Sequence, residues 1–438
     1  MAKGSHKFQA PKGTRDFYPD EMAVRRYIEG AWRAVSIGHG FDEIEGPNFE
    51  HLEVYTAKSG PGIVSELFSF RRSGGDTDYA LRPEFTPTLA RMAAARSANL
   101  PVPTKWFSIP VHFRAERPQR GRLREFVQWN VDVIGDATPA ADAEVIAVAI
   151  GLLERLGLTR EQVGVRLSHR GLVGGLLEGG GVPSDNLTAA FELLDRRDKM
   201  KPEDFQEKAR ELGLSDELVT RFTETRLIAL ADVDSLAAGD SVAMDDFREL
   251  CRLLDESGLA PWCGIDLGIV RGLAYYTGTV FEVHDAVDKE RAVAGGGRYD
   301  QLIETFGGKP TPAVGFAMGD VVIRLLLEKH GLLDEPADYL PRPDVFVIAT
   351  ADEAAQKQLR PLVAELRRSG LHVRHSYKST KNIGKLLGEA GKLRSRHAVI
   401  LDAQCEQGQA QLKNLETGTQ QQTPIQTLPQ TLQLPNPG

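Results

Sequence analysis

At 438 residues, 41% apolar and 26% charged, the sequence is that of a folded protein of two to four domains at roughly 100 to 200 residues each, not a small binding module or a disordered chain. Its 53 Lys+Arg against 61 Asp+Glu leave a net charge of −8, which excludes indiscriminate binding of nucleic acid. No apolar run of about 18 residues and no signal-peptide core occur, and three scattered cysteines make neither a disulfide framework nor a zinc site, so a reduced cytoplasm without membrane contact is expected.

Residues 20–36 space Met22, Tyr27, Ile28, Trp32 and Val35 along one helical face, and Gly38 and Gly40 end the run. Thr86 followed by Pro87 reads as an N-cap and a first-turn proline, so a helix is expected over 87–98 with Glu84 in the extended segment before it. WFSIPVHFR (106–114) and FVQWNVDVIG (126–135) are strand-like runs joined by AERPQRGRLRE, which predicts a long antiparallel hairpin with a cationic tip. Its arginines, Arg114, Arg117, Arg120, Arg122 and Arg124, suit phosphate because a guanidinium fork grips two oxygens; a solvated loop is the alternative for any one of them. No Walker-type or Gly-x-Gly-x-x-Gly phosphate loop is present, so a nucleotide would be held by such side chains. On the second run Gln128, Asn130 and Asp132 share one face while Val127, Trp129, Val131 and Val133 share the other. Unpaired buried polar groups cost about 1–3 kcal/mol each, which favours a pocket on the polar face.

A helix is predicted over 140–157, and 185–258 reads as a helical insertion without strands. Strand signals return at 264–284, where Arg271, Tyr275 and Tyr276 sit among glycines, and GGGRYD (295–300) permits close backbone approach for either a ligand or tight strand packing. A helix over 319–330 and a proline-marked linker follow. PDVFVIAT, a helix over 352–368, LHVRHSY, a helix over 380–393 and HAVILDA then form a β-α-β-α-β pattern, that of a separate α/β domain. From Arg342 onward 13 Lys+Arg face 8 Asp+Glu, a net of +5, so residues 1–341 carry −13. The densest basic window (Arg374, Lys378, Lys381, Lys385, Lys392, Arg394, Arg396) contains only Glu389 as an acid, as a phosphate-backbone surface or a solvated helix face would. The Gln- and Pro-rich end is either a frayed tail or a last strand.

In this order, KGTRDFYP (12–19), LRPEFTPTLAR (81–91), FRAERPQRGRLREF (113–126), RGLAYYTG (271–278), GGGRYD and TPAVGFAMGD (311–320) resemble the histidyl-tRNA synthetases, class II aminoacyl-tRNA synthetases, over nearly the whole chain, with LKNLETG (412–418) fitting their anticodon-binding domain. The resemblance implies an α+β fold. An antiparallel six- or seven-stranded class II catalytic domain would span 1–336 with the helical insertion at about 185–258, then a linker at 337–343 and a smaller α/β anticodon-binding domain over 344–438. It also implies a homodimer that activates L-histidine with ATP and Mg²⁺ and transfers the histidyl group to the 3′ end of tRNA(His).

By the same resemblance, Glu84 and Thr86 would meet the α-amino group of histidine, and Arg271 its carboxylate and the α-phosphate of ATP. Gln128, Asp132, Tyr275 and Tyr276 would line the substrate side, with Asp132 and Tyr276 at the imidazole nitrogens. Such a site rejects analogues lacking those polar groups by about 10⁴ to 10⁵, so no editing role falls to the insertion. Arg114 would touch histidine and the α-phosphate and form the catalytic pair with Arg271; Glu116 and Phe126 would receive adenine, and Arg122 the terminal phosphates. Lys378, Lys381, Lys385 and Arg394 would bind tRNA, and no side chain is assigned to a metal. Two departures stand out: Ala274 where the commonest bacterial pattern has Asp, and Val322 where the third motif carries an arginine, leaving Arg324 or a loop arginine to replace it. The pairing resembles a plant-like branch. The alternative is a non-catalytic paralogue that senses histidine or binds tRNA, which the basic C-terminal domain and Arg271 argue against.

Overall fold

The computed structural model describes residues 8–59, 61–197, 200–223, 227–236, 241–269, 276–286, 292–377 and 382–433. The chain divides into two compact units, residues 1–339 and 340–438.

The first unit opens with α1 (Pro19–Gly38), β1 (Asp42–Glu43), β2 (Phe49–His51), α2 (Leu52–Ser59), β3 (Ser69–Arg71), β4 (Asp78–Leu81) and α3 (Thr86–Arg96). The hairpin strands β5 (Thr104–Ser108), β6 (Val111–Phe113) and β7 (Glu125–Ile134) lead into α4 (Pro139–Arg155) and β8 (Val163–His169). Helix α5 (Arg170–Gly179) follows, and helices α6 (Leu187–Asp195), α7 (Pro202–Glu211), α8 (Asp216–Thr223) and α9 (Val242–Glu256) fall in the stretch expected to be a helical insertion. The unit closes with β9 (Cys263–Ile265), β10 (Thr279–Asp285), β11 (Ala292–Arg298), α10 (Leu302–Thr305), β12 (Ala313–Gly319) and α11 (Asp320–Lys329).

Its main sheet runs β1-β5-β7-β12-β11-β10-β8-β9, with β6 paired to the far half of β7. This corrects the expected antiparallel sheet of six or seven strands. Among the described residues the sheet has nine strands, and the pairs β1/β5 and β8/β9 at its two edges are parallel. Edge strands of two or three residues are too short to show period two in a sequence. The run 106–114 is likewise two strands, because Pro110 offers no N–H for the ladder. Thr86 is the first helical residue rather than the cap: Phe85 takes the N-cap position and makes no side-chain cap bond.

One face of β7 sets the whole arrangement. Val127, Trp129, Val131 and Val133 enter the main core together with Val24, Ile28 and Trp32 of α1 and the apolar residues of α4. Trp129 stacks on Trp32 with centroids 6.0 Å apart and donates from its indole Nε1 to Ser36 Oγ at 2.9 Å. Full burial of one such side chain contributes about 1.5–3 kcal/mol, so the apolar face cannot turn outward, and the polar face is committed to the opposite side of the sheet.

The second unit contains β13 (Val345–Ala349), α12 (Glu353–Arg368), β14 (Val373–His375), α13 (Ile383–Lys392), β15 (His397–Leu401), β16 (Gln409–Asn414), β17 (Gln420–Pro424) and α14 (Leu428–Leu432). Its sheet order is β14-β13-β15-β16-β17, parallel among the first three and antiparallel after them. Up to residue 433 the Gln/Pro-rich end is thus a paired strand and a short helix, pinned by buried Ile425, Leu428 and Leu432.

Candidate active site

The polar face of β7 lines a cavity of about 100 Å³. Gln128, Asn130 and Asp132 form one wall, Glu84 and Thr86 stand where the LRPEFT segment enters α3, Arg114 comes from the hairpin, and Tyr276 and Tyr299 flank the partner strands. Six residues expected from the sequence, Glu84, Thr86, Arg114, Gln128, Asp132 and Tyr276, therefore meet in one place. Arg271 and Tyr275 lie outside the described residues.

Asp132 is the electrostatic centre. It is 5% exposed, and Tyr299 donates its hydroxyl to Oδ1 at 2.5 Å. Burial pushes the carboxyl up to about 7, with the Tyr299 bond pulling the other way, and burial beside that carboxylate lifts the Tyr299 phenol well above its usual range. Space for the pair exists because Gly315 faces Asp132 across the β7/β12 ladder: a Cβ there would sit 2.0 Å from Asp132 Oδ1. Tyr276, also buried, packs against Gly297, where a Cβ would lie 2.9 Å from Tyr276 Cδ1. The glycines of GGGRYD thus allow close strand packing, and its tyrosine, Tyr299, lines the cavity. Tyr299 escaped the sequence reading because a tyrosine after a glycine run carries no periodic signal; its place after β11, opposite Asp132, is set by three-dimensional pairing.

Two further residues missed in the sequence hold the site from behind. Arg82, with no exposed surface, donates to the carbonyls of Gly46, Pro47 and Val111 and to the side chains of Glu45 and Asn48, fixing the approach to Glu84. His112 is fully buried, stacks on Phe126 at 5.5 Å, and is pushed far below the usual histidine range by burial and by the Arg82 and Arg114 charges, so it stays neutral. Arg114 donates from Nε to the Pro83 carbonyl at 3.2 Å and lies over the Phe126 ring at 4.9 Å. Higher on the hairpin Arg122 pairs with Glu116. Arg324 is bonded to Glu21 of α1 at 2.5 Å and to Glu328 at 2.8 Å. Val322 faces the hairpin tip, close to Gly121.

In the second unit a groove of about 650 Å³ follows β14 and α13, lined by Arg367, His372, Arg374, His375, Tyr377 and Lys392. Tyr377 is 92% exposed, and its ring meets that of His375 at 4.5 Å. Lys385 and Arg394 are exposed at opposite ends of α13 and do not line this groove. Lys378 and Lys381 lie outside the described residues.

Asp132 makes a prediction independent of any ligand. A folded-state carboxyl raised above its unfolded value costs stability as pH climbs through that interval. Asp132→Asn should therefore gain on the wild type in thermal stability from about pH 4 to about pH 7 and hold a constant advantage above it. Parallel melting curves across that range would show that Asp132 does not titrate there.

The profile described as "Histidyl-tRNA synthetase" matches residues 13–320, and that described as "Anticodon binding domain" matches 344–434. The histidine–tRNA ligase of Haloarcula marismortui is 39% identical over 431 residues, covering 96% of this chain and 97% of that one. The chloroplastic/mitochondrial histidine–tRNA ligase of Arabidopsis thaliana is 33% identical over 420 residues, covering 95% and 85%. In structure, histidyl-tRNA synthetase from Nostoc sp. PCC 7120 superposes with a TM-score of 0.79 at 24% identity, covering 98% of this chain and 99% of that one, which supports the fold. A class II catalytic domain followed by an anticodon-binding domain, matched over almost its full length, places this chain in the histidyl-tRNA synthetase family, the ATP-dependent ligases that charge tRNA(His) with histidine.

Proposed function

We propose that the cavity on β7 binds L-histidine, that the arginine hairpin beside it binds ATP, and that histidyl-adenylate forms where the two meet. The observation that carries this reading is Asp132, held by Tyr299 in a cavity that Arg114 also lines. A carboxylate that accepts a ring N–H and tyrosines that meet the other nitrogen suit imidazole, and they leave costly unpaired groups when a ligand lacks them. Glu84 and Thr86 take the α-amino group, Gln128 and Tyr275 complete the amino-acid site, and Arg271 joins the carboxylate to the α-phosphate. Arg114 shares that phosphate, Phe126 and Glu116 receive adenine, and Arg122 exchanges Glu116 for the terminal phosphates. The carboxylate then attacks the α-phosphorus and pyrophosphate leaves. Positioning can supply roughly 7–11 kcal/mol of such a barrier, and guanidinium groups stabilise the charge on the phosphate oxygens.

Mg²⁺ belongs to the nucleotide in this scheme. Among the described residues no three His, Cys, Asp or Glu side chains converge on a metal site, and Mg²⁺ characteristically takes phosphate oxygens and waters with at most a carboxylate or two. The second unit reads tRNA: Tyr377 and His375 offer a stacking surface, and Arg374, Lys392, Lys385 and Arg394 offer phosphate contacts. We assign residues 1–336 to catalysis and 344–438 to the anticodon. A second copy of the chain covers the three-stranded sheet β2-β4-β3, where Phe49 and Phe70 are 49% and 43% exposed and cluster on Tyr79. The three free thiols suit a reducing cytoplasm.

Histidine alone among the amino acids should drive exchange of labelled pyrophosphate into ATP, and Arg271→Ala should lower that rate by orders of magnitude while the circular dichroism spectrum is retained. No exchange with any amino acid would leave a histidine sensor. Lys385, Lys392 and Arg394 changed together to Ala should weaken aminoacylation of tRNA, spare adenylate formation and reduce the salt slope by about 0.7–0.9 per lost phosphate contact. An unchanged slope would make these lysines and the arginine merely solvated. Sedimentation should give twice the monomer mass, and Phe49→Ser with Phe70→Ser should shift it toward the monomer; a monomeric wild type would refute the interface.

A further inference from the structure

The first turn of α11 lacks the arginine that position 322 would carry, yet a guanidinium reaches it from elsewhere. Arg15, in the loop before α1, donates from Nη2 to Asp320 Oδ2 at 2.6 Å. The other oxygen of Asp320 accepts the backbone N–H of Val127 at 2.9 Å, one residue beyond Phe126 on the hairpin's return strand. Asp320 is 6% exposed and opens α11, where the helix dipole favours a negative charge. Arg15 Nε is buried and makes no hydrogen bond among the described residues, so the Asp320 contact orients the guanidinium fork.

The same loop grips the hairpin base directly. The Gly13 carbonyl accepts Arg124 N–H at 2.8 Å, and Gly13 has φ +90° with a Cβ position only 2.6 Å from Pro118 Cγ. That close, left-handed approach demands glycine. One carboxylate thus ties together the N-terminal loop, the hairpin and the first turn of α11.

We propose that Arg15 and Asp320 are positioning residues for ATP: their ion pair presets the hairpin so that Arg114, Arg122 and Phe126 meet the nucleotide without an arginine at 322. This rests on the reading that the hairpin binds ATP. Removing one partner of a buried ion pair also destabilises the fold, so the mark of a positioning role is a loss in nucleotide binding that histidine binding does not share.

The test is steady-state pyrophosphate exchange with the full chain. Asp320→Asn keeps an acceptor for Val127 and removes the charge; it should raise KM for ATP about tenfold and hold KM for histidine within about twofold, whatever the fall in melting temperature that follows from leaving Arg15 unpaired. Arg15→Gln should do the same, the double variant should be no worse than either single one, and Arg15→Lys should recover part of the loss. Unchanged KM for ATP in both single variants overturns the proposal. So does a parallel rise in both KM values with a lowered melting temperature, which would mark a purely structural pair. Should Asp320→Asn fail to fold, Arg15→Gln carries the same comparison. Arg114→Ala separates the two readings: if it leaves KM for ATP and kcat intact, the hairpin is not the ATP site, whereas a loss there with Asp320→Asn unaffected defeats only the strap.

Discussion

The site depends on a single constraint, the two-faced character of β7. Because adjacent side chains on a strand point to opposite sides, the tryptophan and valines that dock α1 and α4 dictate where Gln128, Asn130 and Asp132 must point. Rotating the polar residues out to water would require undoing the Trp32–Trp129 stack and its Ser36 hydrogen bond. Packing on one side thereby stabilises an arrangement on the other that would be unfavourable by itself: a carboxyl group taken out of water and paired with a phenol.

This constraint was the most legible part of the sequence. Alternation from Val127 to Val133 and the arginine-rich connection before it are local signals, and they located the cavity wall and the cationic hairpin. The helices at Pro19–Gly38 and Pro139–Arg155 were visible for the same reason, an apolar face repeated at helical spacing. What could not be read was non-local. The parallel edge strands are only two or three residues long, Tyr299 reaches Asp132 from 167 positions away, and Arg82 takes its partners from two separate segments. Val163–His169, a full strand of the main sheet, is not among the strands expected from the sequence, although Val163, Val165 and Leu167 alternate with Gly164, Arg166 and Ser168 at the period of a strand.

Charge is handled differently in the two units. In the first, three guanidinium groups are committed to neighbours: Arg82 to carbonyls, Arg298 to buried Asp142, Arg324 to Glu21 and Glu328. Paired in this way, they shape the interior without creating a general affinity for polyanions. In the second, Arg374 and Lys392 border an open groove beside an exposed tyrosine. The overall acidity of the chain therefore coexists with a local cationic surface, and the two need not compete.

Gly315 has a consequence for how this specificity could change over evolutionary time. Any side chain at 315 would evict the Asp132 carboxylate, so the two positions cannot drift separately. Loss of the acid frees the glycine, but a larger residue installed first abolishes the acid's place. Where Asp132 reads the imidazole, as proposed above, the route to another amino acid is one-way in order, and libraries seeking acceptance of non-natural imidazole analogues should randomise 132 and 315 as a unit.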